Sequence, residues 1–133
     1  MLCNYRDYLN EQKAISFEEC LELHREILSE IGSNPDAVGL YDELVEKAIE
    51  YAEMRANWTV KSREWKIKQD VLRTSKHDSL IIKCNMLSRY LRKEGKKAAW
   101  RDRLGYQEDG RIYRKRIGDF GCFLSYIHGI NGR

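Results

Sequence analysis

Apolar residues recur at every third or fourth position along most of this chain of 133 residues, which contains a single proline. This spacing places apolar side chains on one face of an α-helix, whereas a half-buried strand requires strict alternation. Because proline ends or kinks helices, a chain so poor in it favours long, uninterrupted ones. The pattern therefore predicts an all-α protein.

Residues 79–94 carry the clearest apolar stripe. It consists of Leu80, Cys84, Leu87 and Leu91, and is widened by Ile81 and Tyr90. A stripe of this width needs a packed partner, so we expect this segment to be the central helix of the core.

Capping signals mark two helices before it. Ser16 is followed three residues later by Glu19, which is the capping-box pattern, and Gly32 is suited to end the helix that Ser16 begins. The pair 34–35, asparagine then proline, is a second start signal. We therefore predict helices over residues 17–31 and 35–56.

The remaining segments have weaker patterns. We predict a short helix over 1–10, a helix over 59–73, a turn over 74–78, a short basic helix over 96–104, a turn over 106–110 with a small hairpin as the alternative, and a last helix from Asp119 to His128. Together these segments predict a single-domain antiparallel helical bundle of about five or six helices over residues 1–133. Its expected core is Leu21, Ile27, Leu44, Val45, Ala48, Leu80, Cys84, Leu87, Leu91, Phe120, Phe123 and Leu124.

Composition excludes several classes of protein. An apolar fraction of 42% argues against intrinsic disorder, and no apolar run approaches the roughly 18 residues of a membrane span. The first residues lack the layout of a signal peptide. We therefore expect a cytoplasmic protein, whose four cysteines are thiols rather than disulfides.

The charge is strongly polarised along the chain. Residues 1–57 hold five Lys or Arg and thirteen Asp or Glu, a net −8, whereas residues 58–133 hold nineteen and eight, a net +11. Such asymmetry points to an anionic partner, or to docking of the acidic half on the basic half.

The basic segment 89–116 is the candidate binding site. It holds eleven Lys or Arg against four Asp or Glu, and its glycine turn between two helices has the coarse outline of a helix-turn-helix. Cationic side chains bind phosphate groups, and aromatic side chains stack on bases. The expected partner is therefore nucleic acid or an acidic protein surface. The candidate residues are Arg89, Arg92, Lys93, Lys96, Lys97, Trp100, Arg101, Arg103, Arg114, Lys115 and Arg116.

The alternative is an interaction protein whose basic segment is docked on its own acidic half. Its contact surface would be an apolar helix face, with a homodimer formed through the C-terminal helix or the region of Trp58 and Trp65. We favour the C-terminal helix as a core element that closes the bundle.

Signals for catalysis, cofactors or metals are sparse. Cys20 and His24 lie four residues apart, a spacing that can chelate a metal, but both fall on an apolar stripe, so we predict a buried thiol and a core histidine. Arg73 and His77 resemble the arginine-to-histidine motif of helical ribonucleases of the HEPN type, although the motif spaces them further apart. We therefore predict no enzyme, no metal, no cofactor, no small-molecule substrate and no membrane partner.

The stretches 100–106 and 118–121 resemble the short, helical, uncharacterised proteins of Gram-positive bacteria. That resemblance implies a bacterial helical protein and brings with it no activity and no site residue. The sequence therefore predicts a non-catalytic binding module of unknown role.

Overall fold

The computed structural model describes residues 14–58, 61–105 and 110–130, except for the side chains of residues 110–114 and 130. Within these ranges the chain forms five α-helices, a final π-helical turn and no β-strand. The helices are α1 (Phe17–Ile31), α2 (Pro35–Trp58), α3 (Arg63–Lys93), α4 (Ala99–Arg103) and α5 (Gly110–Ser125), and the turn spans Tyr126–Ile130. The predicted all-α helical bundle is confirmed. The helix expected over 1–10 and most of the turn expected over 106–110 lie outside the described residues.

The cap side chains at both predicted helix starts act as the sequence predicts, but the Glu19 carboxylate accepts from Arg116. The Ser16 hydroxyl accepts a hydrogen bond from the Glu19 amide at 3.1 Å, and Gly32 ends α1 with a φ of 53°. The Asn34 side chain accepts from the Asp36 amide at 2.9 Å and so caps α2. Each cap satisfies a backbone donor that a helix start would otherwise leave without a partner.

Helices α2 and α3 pack side by side and antiparallel. Asn34, which begins α2, hydrogen-bonds the Tyr90 hydroxyl near the end of α3 at 3.0 Å. At the opposite end, the rings of Trp58 and Trp65 meet edge to face at 5.5 Å. Two ion pairs cross between these ends: Lys83 to Glu43 at 2.6 Å and Lys76 to Glu50 at 3.7 Å.

Helix α3 corrects the predicted boundaries. One helix of 31 residues replaces the helices expected over 59–73 and 79–94, and the turn expected over 74–78 is helical. The stretch 74–78 contains no glycine or proline that would end a helix. It is also anchored by His77, which is buried and packs edge to face on Tyr51 at 5.1 Å. Tertiary packing therefore outweighs the turn propensity of the polar residues.

Helix α5 begins earlier than predicted, so Asp119 lies inside the helix instead of capping it. Gly118 and Gly121, on either side of the expected cap, are packing positions inside the helix. A Cβ at Gly118 would lie 2.9 Å from the Tyr51 hydroxyl, and one at Gly121 would lie 2.6 Å from Leu80. These glycines let α5 approach α2 and α3 closely, and the segment 117–125 is buried.

The core lies where α2 packs against α3 and α5, and α1 closes it by contacting α4 and α5. Ten of the twelve predicted core residues are buried, and the other two, Leu21 and Val45, pack against the core while partly exposed. Buried residues absent from the prediction include Leu23, Tyr51, Ala98, Trp100 and Ile117.

Candidate functional site

Trp100, the aromatic residue among the candidates, is a core residue and not an exposed stacking surface. Trp100 is fully buried, and its indole nitrogen donates to Glu30 Oε1 of α1 at 2.8 Å. The second oxygen of Glu30 accepts from the Ala98 amide at 3.0 Å. Ala98 has a φ of 48°, which costs roughly 1–2 kcal/mol for a residue with a Cβ. The half-buried carboxylate of Glu30 thus binds both the strained turn at Ala98 and the indole of Trp100 to α1.

Two arginines of the basic segment bind the glutamates of α1. Arg103 donates to Glu26 at 2.8 Å and to Glu22 at 3.3 Å. Arg116 donates to Glu19 at 2.8 Å, and its guanidinium also reaches the Arg103 carbonyl at 2.7 Å. These contacts place part of the positive charge of the basic segment on the acidic half of the same chain.

Two further arginines hold the turn before α4. Arg92 donates to the carbonyls of Lys97 and Ala98 at 3.2 and 3.1 Å and lies 3.3 Å from the carboxylate of Asp102. Arg101 is buried, and its Nε donates to the Asn85 side chain at 2.7 Å. Burial removes Arg101 from the surface that we predicted for it, whereas Arg92 stays exposed while it holds the turn.

The remaining candidate cations are exposed. Arg89 and Lys93 lie on the last turns of α3, and Lys96 and Lys97 follow on the turn beyond it. Lys115 is exposed on α5, and the side chain of Arg114 lies outside the described residues. The structure thus divides the predicted cations into four arginines that bond to other parts of the chain and five exposed residues.

The three large apolar side chains with the highest exposed fractions lie on one face of α3. Val71 is 81% exposed, Ile67 66% and Ile82 53%. At about 100° per residue they fall in one sector of the helix, together with smaller polar residues. We call this face the α3 stripe: Ile67, Val71, Thr74, Ser75, Asp78 and Ile82. A shallow groove follows it from Asp70 to Ile82.

A second groove continues the α3 stripe toward the tip of the α2–α3 pair. It is lined by Trp58, Arg63, Lys66, Ile67 and Asp70. The guanidinium of Arg73 covers the Trp58 ring at 4.8 Å and pairs with Asp70 at 2.8 Å. These contacts hold the side chains of Arg73, Trp58 and Asp70 in place beside the α3 stripe.

The two residues that resemble a ribonuclease motif lie one turn apart on α3 and point into different surroundings. Arg73 covers Trp58, whereas His77 is buried against Tyr51 and lies beside Gly118 of α5. The burial of His77 does not suit a catalytic base in an open cleft.

Two histidines meet at one tyrosine hydroxyl. Tyr41 of α2 lies 2.7 Å from Nε2 of His24 on α1 and 2.8 Å from Nε2 of His128 in the π-helical turn. Burial lowers the pKa of His24 to about 4, with a smaller contribution from His128, and burial also lowers the pKa of His128. Both imidazoles are therefore neutral at pH 7. Cys20 is buried, as predicted, whereas His24 is half-buried and bonds Tyr41.

Asp119 is the least satisfied polar group of the core. It is fully buried, and neither carboxylate oxygen has a hydrogen-bond partner of good geometry among the described residues. Burial raises the pKa of its carboxyl to about 6, although Arg55, Lys115, the Ala14 backbone and Arg116 act in the opposite direction. The core thus holds one carboxyl whose ionisation costs stability.

The described cysteines are buried free thiols, as predicted: Cys20, Cys84 and Cys122. Burial raises the pKa of Cys20, aided by Asp119, and raises that of Cys84 to about 12. Neither of these two thiols forms the thiolate that nucleophilic chemistry requires at neutral pH.

In the described part of the chain, no three His, Cys, Asp or Glu side chains are grouped so as to hold a metal ion. Across those residues no helix has the length and apolar character needed to cross a bilayer.

The chain was also compared with known proteins by sequence and by structure. No family model, no curated protein and no solved structure matches it. Function must therefore be argued from the geometry of its own surfaces.

Proposed function

We propose that this chain is a non-catalytic interaction protein that pairs with a second copy of itself through the α3 stripe. The observation that carries the proposal is the exposure of Ile67, Val71 and Ile82 on one helix face. Leaving apolar side chains in water costs about 25 cal/mol per Å², so a contiguous row of them favours a partner. The tip beside Trp58 and Trp65, one of the two contact regions that the sequence suggested, continues this face.

Charge on the α3 stripe favours an antiparallel pair. Parallel helices would bring Asp78 of one copy beside Asp78 of the other, and like charges repel. An antiparallel pair centred near Thr74 and Ser75 places Ile67 opposite Ile82 of the second copy, since both lie equally far from the centre. The small Ser75 at the crossing permits close approach of the two backbones.

Sedimentation equilibrium over a range of protein concentration tests the proposal. We expect a monomer–dimer equilibrium that Val71→Glu weakens at least about tenfold, because the change places a charge in the apolar contact. Val38→Glu is the matched control, since Val38 is an exposed valine on α2 away from the stripe. A wild-type chain that stays monomeric at every concentration would refute the proposal.

Cross-linking tests the orientation. In a Cys3→Ser background, the double variant Ile67→Cys, Ile82→Cys should form disulfide-linked dimers readily, because the antiparallel pair brings these positions together. Single Ile67→Cys and Ile82→Cys variants should cross-link more slowly. Single variants that cross-link as readily as the double variant would support a parallel pair instead.

The exposed cations support a second candidate, an anionic partner. Arg89, Lys93, Lys96 and Lys97 lie together where α3 ends, and Arg89 and Lys93 line a groove with Tyr90. Fluorescence anisotropy with labelled DNA and RNA over a range of salt tests this function, since each phosphate contact steepens the salt dependence. Lys93→Glu with Lys96→Glu should flatten the slope. Lys68→Glu, at an exposed lysine near the start of α3, is the control.

A further inference from the structure

The cluster of His24, Tyr41 and His128 brings donor atoms from three distant parts of the chain to one point. Both imidazole Nε2 atoms lie within hydrogen-bond distance of the Tyr41 hydroxyl, at 2.7 and 2.8 Å. A phenol has one proton to donate, so it can donate to one histidine and must accept from the other. Three convergent heteroatoms thus share the protons of a hydrogen-bond network, and a cation can replace those protons.

The chemistry of the donors suits a transition metal. Two neutral imidazoles and one phenol oxygen form a donor set of two nitrogens and one oxygen, which suits borderline ions such as Cu²⁺, Ni²⁺ and Zn²⁺. Asp42 follows Tyr41 and is close enough to act on the ionisation of both Tyr41 and His128. Its exposed carboxylate adds negative charge where a divalent ion would enter.

The chemistry of the donors selects among these ions. Tetragonal sites built from nitrogen and oxygen ligands are typical of Cu²⁺ and Ni²⁺, and affinity for a given site generally rises from Ni²⁺ to Cu²⁺ and falls again at Zn²⁺. The donor set therefore favours Cu²⁺, and then Ni²⁺.

The surroundings support a site of defined shape. His24 and His128 are half-buried, so the cluster is reached from solvent, whereas Tyr41 is held in the core. The Phe123 ring meets the His24 ring edge to face at 5.9 Å and forms an apolar wall. His128 is presented by the π-helical turn Tyr126–Ile130, and such turns are frequent at functional sites.

We propose that His24, Tyr41 and His128 form a binding site for one divalent transition-metal ion of tetragonal preference, with Cu²⁺ bound most tightly and Ni²⁺ next. The ion would take the lone pairs of both Nε2 atoms and of the Tyr41 oxygen. The phenol proton passes to solvent, and the proton on one Nε2 moves to Nδ1 of the same ring.

Isothermal titration of the full chain with Cu²⁺, Ni²⁺ and Zn²⁺ tests this site, in a Cys3→Ser background that removes a thiol from outside the described residues. We expect one ion per chain. His24→Gln and His128→Gln should each weaken binding at least about tenfold. Tyr41→Phe keeps the ring and should abolish the visible charge-transfer band from phenolate to Cu²⁺.

His77→Gln is the control, since His77 is the one histidine outside the cluster and should leave affinity unchanged. Thermal unfolding of each variant without metal confirms that it folds. Absence of saturable binding would overturn the proposal. Equal loss of affinity in His77→Gln and His24→Gln would do the same, and so would an unaltered Cu²⁺ spectrum in Tyr41→Phe.

Discussion

Two regions of the molecule differ in how far their side chains are satisfied. The first is the contact between α1 and the segment 96–104, and the second is the face of α3 from Ile67 to Ile82. In the first, Glu30 satisfies Trp100 and Ala98, and arginines meet glutamates at hydrogen-bond distance. In the second, large apolar side chains face solvent with nothing over them among the described residues. Part of the positive charge of the basic segment is thus paired with acidic residues of the same chain. The surface that we propose for a partner, the α3 stripe, is apolar, so the distribution of charge along the sequence does not indicate it.

The largest expected effect tests the first region. Glu30→Ala leaves the buried indole of Trp100 and the Ala98 amide without acceptors, and each such group costs about 1–3 kcal/mol. We expect the free energy of unfolding to fall by about 3 kcal/mol in chemical denaturation. Glu30→Gln keeps one acceptor oxygen and should lose less. Glu46→Ala, at an exposed glutamate of α2, should change stability by less than about 0.5 kcal/mol.

Asp119→Asn should stabilise the protein at pH 7 by about 2 kcal/mol, because it removes a carboxyl whose ionised form is buried without good hydrogen bonds. The pKa of about 6 in the native state lies above the ordinary aspartate value of 3.8. At this carboxyl the native state therefore binds more protons than the unfolded state between these values, and the contribution of Asp119 to stability falls as pH rises through this window.

Denaturant titrations from pH 4 to 7 measure that slope. Because burial lowers the pKa of His24 and of His128, those two groups make stability rise with pH over part of the same window in both proteins. The difference between the proteins isolates the carboxyl: Asp119→Asn should gain stability relative to wild type as the pH rises from 4 to 7. Equal slopes in the two proteins would show that another group is responsible.

Reversing one docked charge has a smaller expected effect. Arg103→Glu replaces attraction with repulsion toward Glu26 and Glu22, but Arg103 is more than one-third exposed, so solvent screening limits the loss to about 1 kcal/mol. The double variant Arg103→Glu, Glu26→Arg should recover part of it. Both differences should shrink in 1 M salt. A loss that persists at high salt would point to packing instead of charge.

The smallest expected effect belongs to the second region. Val71→Ser should alter the stability of the monomer by less than about 0.5 kcal/mol, since Val71 is largely exposed. Leu87→Ser, at a fully buried position on the same helix, should cost several times more. Thermal unfolding at low protein concentration makes the comparison. A large loss for Val71→Ser would mean that the α3 stripe is covered within the chain.

Much of the fold is predictable because helices obey local rules. The caps at Ser16, Gly32 and Asn34 and the apolar stripe of residues 79–94 depend on spacing within a few residues, and the structure has them as predicted. The turn expected over 74–78 failed because the burial of His77 lies outside any local window. The cap expected at Asp119 failed because the neighbouring glycines are packing positions, which sequence alone does not distinguish from helix breakers.

The candidate sites divide in the same way. Sequence by itself determined the all-α class, the principal helix starts and the polarised charge, since these follow from residue order and backbone geometry. Only the tertiary structure decided which arginines are docked, which apolar face stays exposed, and that His24 and His128 meet at Tyr41. The two histidines are 104 residues apart. Contacts over such separations depend on how helices pack, and no local pattern encodes that packing.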